Sequence, residues 1–138
     1  MRFIMTVQIP TDADQSDWEP TPEIVAEMMR YNEELTQAGV LLALDGLTPP
    51  SEGARISYSG RDRTVTDGPY AEAKEVVGGY WIIQAKSRDE AIEWAKRCPM
   101  QDGAVEVRRI TEMSDFPDDV QAAAGELSQE PPEQTTAS

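Results

Sequence analysis

Residues 76–99, VVGGYWIIQAKSRDEAIEWAKRCP, join the clearest strand signal of the chain to its clearest helix start. Aromatic and β-branched residues dominate the first half of this stretch, a composition that is typical of a β-strand. Ser87 and Glu90 are spaced as a capping box, which predicts a helix that runs to about Arg97. Pro99 then prevents the helix from continuing, because proline lacks the N–H group that a further turn needs. The stretch therefore predicts a strand followed by a helix.

The first part of the chain carries a similar pair of signals. Apolar and other residues alternate over residues 2–8, a period of two that predicts a strand, and Pro10 ends it. Thr21 followed by Pro22 is typical of a helix start, and Gly39 is typical of a helix end. A second strand followed by a helix is therefore predicted here.

The remaining segments are predicted to be extended. They are an apolar run over 40–47, two short strands over 55–59 and 63–66, and a last strand around Val105 and Val107. The order is strand, helix, strand, strand, helix, strand, with a small extra hairpin before the third main strand. This order predicts a ferredoxin-like α+β fold (βαββαβ), in which two helices cover one face of an antiparallel sheet.

The other face of the predicted sheet must be polar or covered. Ile4, Thr6 and Gln8 alternate along the first strand, and Glu106 and Arg108 along the last. Such a mixed face fits a sheet that meets a second sheet and leaves a polar cleft between them. We therefore expect a homodimer in which two sheets lie face to face.

The composition excludes several chemistries. The chain has 138 residues, no histidine and a single cysteine, Cys98. A Ser-His-Asp triad, a Cys-His pair and a zinc site of thiol or imidazole ligands are therefore excluded within one chain. We predict no metal site and no cofactor, and we interpret Cys98 as a buried, small apolar group and Trp81 as a core residue.

The charge of the chain bears on its partners. Its 26 acids and 12 bases give a net charge of −14, which argues against binding nucleic acid. The longest apolar run, over 40–44, is too short to span a membrane, and the amino end lacks the pattern of a signal peptide. We therefore expect a cytoplasmic protein without a nucleic-acid or membrane partner.

The carboxyl end differs from the rest of the chain. No Lys or Arg follows Arg109, whereas seven acids do, and from Gly125 onward the composition is typical of disorder. We predict one domain over residues 1–111 and an acidic, disordered tail over residues 112–138, with a helical turn over residues 118–124 as an alternative.

A dense group of charges surrounds an Asp-Gly-Pro turn in residues 66–75, TDGPYAEAKE. One interpretation is a turn that displays solvated charges, with or without a helical turn that begins at Pro69. The other puts Asp67, Glu72 and Lys74 at the rim of the cleft. There a carboxyl whose pKa is raised by burial would move protons, and Lys74 would hold an anion. Spacing alone does not choose between the two.

Several segments also carry a resemblance to a known family. They are DGPY at 67–70, AEAKE at 71–75, GGY at 78–80, AIEWA with CP at 91–99, and VEVR at 105–108. Together they resemble the DGPF branch of the YCII-related family, over nearly all of residues 1–110.

The resemblance implies a dimeric α/β barrel and a family that largely lacks an assigned activity. Some members lie beside extracytoplasmic-function sigma factors, which implies a regulatory setting. A His-Asp pair proposed as catalytic in other members does not transfer, because this chain has no histidine. The chain departs from the family pattern in having Tyr70 for Phe, Ala73 for Thr and Arg109 for Pro.

We predict a protein that binds a small molecule in a dimer cleft, with acid/base catalysis as one use of that cleft. The catalytic candidates are Asp67 and Glu72. The predicted ligand-binding residues are Asp67, Tyr70, Glu72, Lys74 and Arg108. The alternative is a non-catalytic regulatory or interaction protein associated with an extracytoplasmic-function sigma factor. A third hypothesis is that the Asp-Gly-Pro turn serves the fold alone.

Overall fold

The computed structural model describes residues 1–11, 20–70 and 72–127. Within them the chain forms six strands, three α-helices and two 3₁₀ turns, at Pro50–Glu52 and Met113–Asp115. The strands are β1 (Arg2–Pro10), β2 (Leu41–Gly46), β3 (Ala54–Ser59), β4 (Asp62–Asp67), β5 (Glu75–Gln84) and β6 (Ala104–Arg109). The helices are α1 (Pro22–Gln37), α2 (Arg88–Lys96) and α3 (Asp118–Leu127). No helix in these residues is long and apolar enough to cross a membrane.

Four of the strands form one antiparallel sheet in the order β2-β5-β1-β6, and β3 and β4 pair only with each other. Helix α1 connects β1 to β2 and α2 connects β5 to β6, so the central strands β1 and β5 each lead into or out of a helical crossover. The predicted ferredoxin-like α+β fold is confirmed in this arrangement.

Both main helices begin where their capping residues predict. The Thr21 hydroxyl accepts a hydrogen bond from the Ile24 N–H at 3.3 Å, and the Ser87 hydroxyl accepts one from the Glu90 N–H at 3.1 Å. The Glu90 carboxylate accepts in turn from the Lys86 N–H at 2.7 Å, one residue before the cap. These bonds satisfy donors that the first turn of a helix leaves free.

The core lies between the sheet and the two helices. It contains alternate residues of the central strands, together with the inward residues of α1 and α2: Phe3, Met5, Trp81, Ile83, Tyr31, Leu35 and Ala91. All of them belong to one buried cluster, so α1 and α2 cover the same face of the sheet. Because side chains alternate along a strand, the remaining residues of these strands lie on the opposite face.

Two polar atoms in this core are paired, as burial requires. The Trp81 indole N–H donates to Asn32 Oδ1 at 2.8 Å, and the Tyr31 hydroxyl donates to the Trp94 carbonyl at 2.7 Å. The Tyr31 and Trp81 rings meet edge to face, with centroids 5.4 Å apart. The predicted core position of Trp81 is confirmed, and burial raises the pKa of Tyr31.

Within the predicted acidic tail, residues 112–127 include the 3₁₀ turn at Met113–Asp115 and the helix α3. Glu112 pairs with Arg2 at 2.9 Å, and Asp115 pairs with Arg109 at 2.8 Å, after which α3 follows. Glu112 thus meets Arg2 of β1, 110 residues away in sequence, whereas Asp115 meets Arg109 at the end of β6, six residues away. The end of the predicted tail, residues 128–138, lies outside the described residues.

Acid is expected to release residues 112–127 from the domain. The hydrogen bond from Arg2 lowers the pKa of Glu112, and that from Arg109 lowers the pKa of Asp115. A carboxyl with a lowered folded-state pKa stabilises the fold above its unfolded pKa, and this contribution is lost as pH falls through the folded pKa. Amide protection factors in this segment should therefore decrease as the pH is lowered below the usual pKa range of carboxyl groups. Arg109→Gln should show weaker protection already at neutral pH, and pH-independent protection in the wild type would contradict the prediction.

Candidate functional site

One face of the four-stranded sheet is not covered by α1 or α2, and we call it the open face. Its side chains are Ala43 and Asp45 of β2, Tyr80 and Ile82 of β5, Ile4, Thr6 and Gln8 of β1, and Glu106 and Arg108 of β6. The register arranges them in rows across the sheet. Ile4 lies between Ile82 and Arg108, and Thr6 lies between Tyr80 and Glu106.

The polar groups of the open face pair with one another. The Tyr80 hydroxyl donates to Asp45 Oδ2 at 2.9 Å, and the Gln8 amide donates to Thr6 Oγ1 at 2.8 Å. The hydrogen bond to Asp45 raises the pKa of Tyr80, because it stabilises the protonated hydroxyl. Ile4 and Ile82 lie beside these groups and are only half-buried. The face therefore combines an apolar centre with satisfied polar neighbours, as the sequence predicted for a mixed face.

The Asp-Gly-Pro turn packs against the segment that precedes β3. The Gly68 N–H donates to the Gly53 carbonyl at 3.0 Å, and a Cβ at Gly68 would overlap the Pro50 carbonyl oxygen. The Gly68-Pro69 peptide bond is cis. Only glycine allows this approach of the two backbones, so the turn serves the fold at this residue.

A residue of β3 holds Tyr70 beside the Asp-Gly-Pro turn. The Arg55 guanidinium stacks over its ring at 4.2 Å from the centroid, and a Cβ at Gly53 would lie 3.1 Å from its hydroxyl. The ring is half-buried in the protomer. Tyr70 therefore joins the turn to the base of the β3–β4 hairpin.

The residues after the turn are anchored through their backbone to the end of β1. The Thr11 hydroxyl donates to the Ala73 carbonyl at 2.6 Å, and its N–H donates to the Lys74 carbonyl at 3.0 Å. β5 begins at Glu75, which pairs with Pro10. The Ala73 N–H also donates to the Tyr70 carbonyl at 3.2 Å, which closes one hydrogen-bonded turn after Pro69. Among the described residues no helix follows from it, because β5 and its pairing with β1 begin at Glu75.

The side chains of Asp67, Glu72 and Lys74 are exposed in the protomer. None of the three forms a hydrogen bond or ion pair with another side chain in the described part of the chain. In a single protomer, both candidate catalytic carboxylates therefore lack the burial by which enzymes tune the pKa of a general acid or base.

Arg108 lies at the opposite end of the sheet from the turn. Arg108 pairs with Ile4, near the start of β1. Lys74 instead lies beside Thr11, the residue that follows the end of β1. Thr11 is seven positions after Ile4 along extended chain, a distance of about 23 Å. The Arg108 guanidinium is 3.9 Å from the Glu106 carboxylate, and both side chains are largely exposed. One protomer therefore does not bring Arg108 together with Asp67, Tyr70, Glu72 and Lys74.

A groove between α2 and β6, which the sequence did not predict, encloses about 470 Å³. Its lining includes Arg88, Ile92, Lys96, Cys98 and Val105. Burial raises the pKa of Cys98 to about 11, so its thiol is protonated and unreactive at neutral pH. No group of three acidic or cysteine side chains in residues 1–11, 20–70 and 72–127 could hold a metal ion.

Comparison with known proteins identifies the family. A family model for the YCII-related domain matches residues 1–114. An uncharacterised protein of Rhizobium meliloti (strain 1021) is 30% identical over 78 residues, which cover 56% of this chain and 63% of that protein. The chain therefore matches less than two thirds of that relative's length. Since the family match extends over most of the chain and all six strands, the chain belongs to the YCII-related domain family.

Proposed function

We propose that the protein is a homodimer whose two open faces pack against each other as a dimeric α/β barrel, and that the cleft between them binds a small polar molecule. The observation that carries this proposal is the open face itself, with half-buried Ile4 and Ile82 at its centre and paired polar groups around them. The same proposal includes membership of the DGPF branch and a cytoplasmic location.

Packing physics supports a second sheet as the cover. Packed sheets lie about 10 Å apart, so two copies of Ile4 and Ile82 would fill the centre of such an interface. Thr6, Tyr80 and Asp45 would then line the space beside this apolar contact. A cleft that is enclosed by protein and lined by a few polar groups is typical of a small-molecule site.

A two-fold axis also accounts for the separation of the predicted site residues. If the axis is perpendicular to the strands, the end of one sheet that carries Arg108 meets the end of the other that carries Asp67 and Lys74. Lys74 and Arg108 would supply positive charge for an anionic group of the ligand. Asp67 and Glu72 would gain in the dimer the burial that they lack alone, and they are the candidates for acid–base chemistry.

The dimer is tested by a charge on the open face. Ile82→Asp should convert the protein from a dimer to a monomer in sedimentation velocity, because two carboxylates would be buried in one apolar contact. Met29→Asp is the matched control, since Met29 is 62% exposed on α1 and lies on the helical side of the sheet. A wild-type monomer, or equal effects of the two variants, would refute the proposed dimer.

The ligand is tested by native mass spectrometry of the purified full chain. We expect the dimer to carry a bound small molecule and the Ile82→Asp variant to carry none. A dimer that retains no small molecule but binds another protein would favour the alternative, a regulatory protein associated with an extracytoplasmic-function sigma factor. That alternative stays a prediction from family resemblance.

A further inference from the structure

Strands β3 and β4 form a two-stranded hairpin, which we call the arm, and the arm is amphipathic. Residues directly opposite in an antiparallel pair share a face. On one face Ile56 lies opposite Val65, and Tyr58 lies opposite Arg63. The other face carries only polar side chains, namely Arg55, Ser57, Ser59, Asp62, Thr64 and Thr66. The pattern is that of a hairpin with one buried face.

Nothing in the described protomer covers the apolar face of the arm. All residues of both strands are exposed, and Ile56, Val65 and Tyr58 are 45%, 66% and 72% exposed. Neither strand makes extensive contact with another helix or strand of the described structure. An isolated two-stranded hairpin is at best marginally stable in water, so this face needs a partner.

The charge of the arm indicates what that partner is. Residues 54–67 carry three arginines and two aspartates, a net charge of +1, whereas the rest of the chain has nine bases and 24 acids and carries −15. A second copy of the chain is therefore electrostatically complementary to the arm. In a two-fold dimer, each arm would place its net positive charge against the acidic remainder of the other copy.

We infer that the arm of each protomer packs by its apolar face on the other protomer, at one end of the cleft. This inference rests on the proposed dimer. The arm starts beside the Asp-Gly-Pro turn, at the end of the sheet where the Leu47 N–H donates to the Gly78 carbonyl at 3.0 Å. Its six-residue strands extend about 20 Å, twice the spacing of two packed sheets, so the arm can reach past the interface onto the other copy.

Residues of both protomers would thus form this end of the cleft. Tyr70 and the turn of one protomer stand at the base of its arm, held by Arg55. Packing of the arm on the other protomer would therefore fix the position of Asp67 at the rim of the shared cleft.

Two double variants of the full chain test this inference. Ile56→Asp/Val65→Asp alters the apolar face, and Ser57→Asp/Thr64→Asp alters the polar face of the same hairpin at the neighbouring cross-strand pair. Both variants add two carboxylates directly opposite each other, so repulsion within the arm is matched. We expect the first to raise the dimer dissociation constant at least about tenfold and the second to change it less than about threefold, by sedimentation equilibrium. Tryptophan fluorescence, to which all three tryptophans of the chain contribute, reports whether the fold is intact.

The outcomes distinguish a failure of the inference about the arm from a failure of the proposed dimer. Equal weakening by both variants, or none by either in a protein that dimerises, overturns the inference about the arm. If Ile82→Asp dissociates the dimer while Ile56→Asp/Val65→Asp does not, the sheet-to-sheet dimer stands and the arm has no part in it. If the apolar-face variant alone dissociates the dimer and Ile82→Asp does not, the arm holds the two copies together and the proposed cleft fails.

Discussion

Replacing Ile83 by alanine should lower the free energy of unfolding by about 2–5 kcal/mol, the range for removing a buried aliphatic side chain. Ile83 is fully buried in the cluster with Phe3 and Leu35. Its removal loses apolar contact and leaves a cavity that the sheet and α1 cannot close without moving. Urea unfolding of the full chain measures this loss.

Ile82→Ala is the matched control, because it makes the same change one residue away on the open face. In a dilute sample its cost should be only about 1 kcal/mol, since the side chain is half-buried there. In the proposed dimer this cost should increase with protein concentration, whereas the cost of Ile83→Ala should not, because only Ile82 contributes to association. Costs that are equal and independent of concentration would contradict both the assigned faces and the dimer.

Signals that act within a few residues were sufficient to predict the six strands and the helices α1 and α2. Thr21 and Ser87 begin their helices by bonding to N–H groups three residues ahead, and this chemistry is visible in the sequence. Trp81 was predictable as a core residue because strand alternation places it with Ile83. The ferredoxin-like order followed from these local elements alone.

Features that depend on pairing between distant segments were not predictable. Nothing local to Glu112 indicates that it meets Arg2, 110 residues earlier in the chain. The helical turn considered after Pro69 is limited to one hydrogen bond from Ala73 to Tyr70, because Thr11 holds the following residues beside the end of β1. In each case a contact across the chain outweighs the local preference.

The candidate site was predictable in residue type but not in arrangement. The sequence marks Asp67 and Lys74 at the rim of the predicted cleft and Arg108 on the mixed face of the last strand. Their separation appears only when the register pairs Arg108 with Ile4. The arm likewise could be recognised as a hairpin, but not as one detached from the main sheet. Strand propensity does not determine which edge a hairpin joins, because that depends on tertiary packing.

Gly103→Ala should be the second most destabilising of these substitutions, at about 2–4 kcal/mol. Gly103 has φ 84°, in the left-handed region, and a Cβ there would lie 2.6 Å from the Gln8 carbonyl oxygen. Alanine would therefore both strain the backbone and push β6 away from β1. Since Gln8 pairs with Ala104 at this point, the shift would disturb the rows of the open face as well.

Gly39→Ala separates the cost of the backbone conformation from the cost of steric overlap. Gly39 has φ 71° just after α1, but a Cβ there would meet nothing within 4 Å. Its replacement should cost only about 1 kcal/mol, from backbone conformation alone. Urea unfolding of both variants gives the difference, and sedimentation should show weaker dimerisation for Gly103→Ala only. Equal losses of stability would mean that β6 accommodates the methyl group, and unchanged dimerisation would mean that the β1–β6 register does not shape the interface.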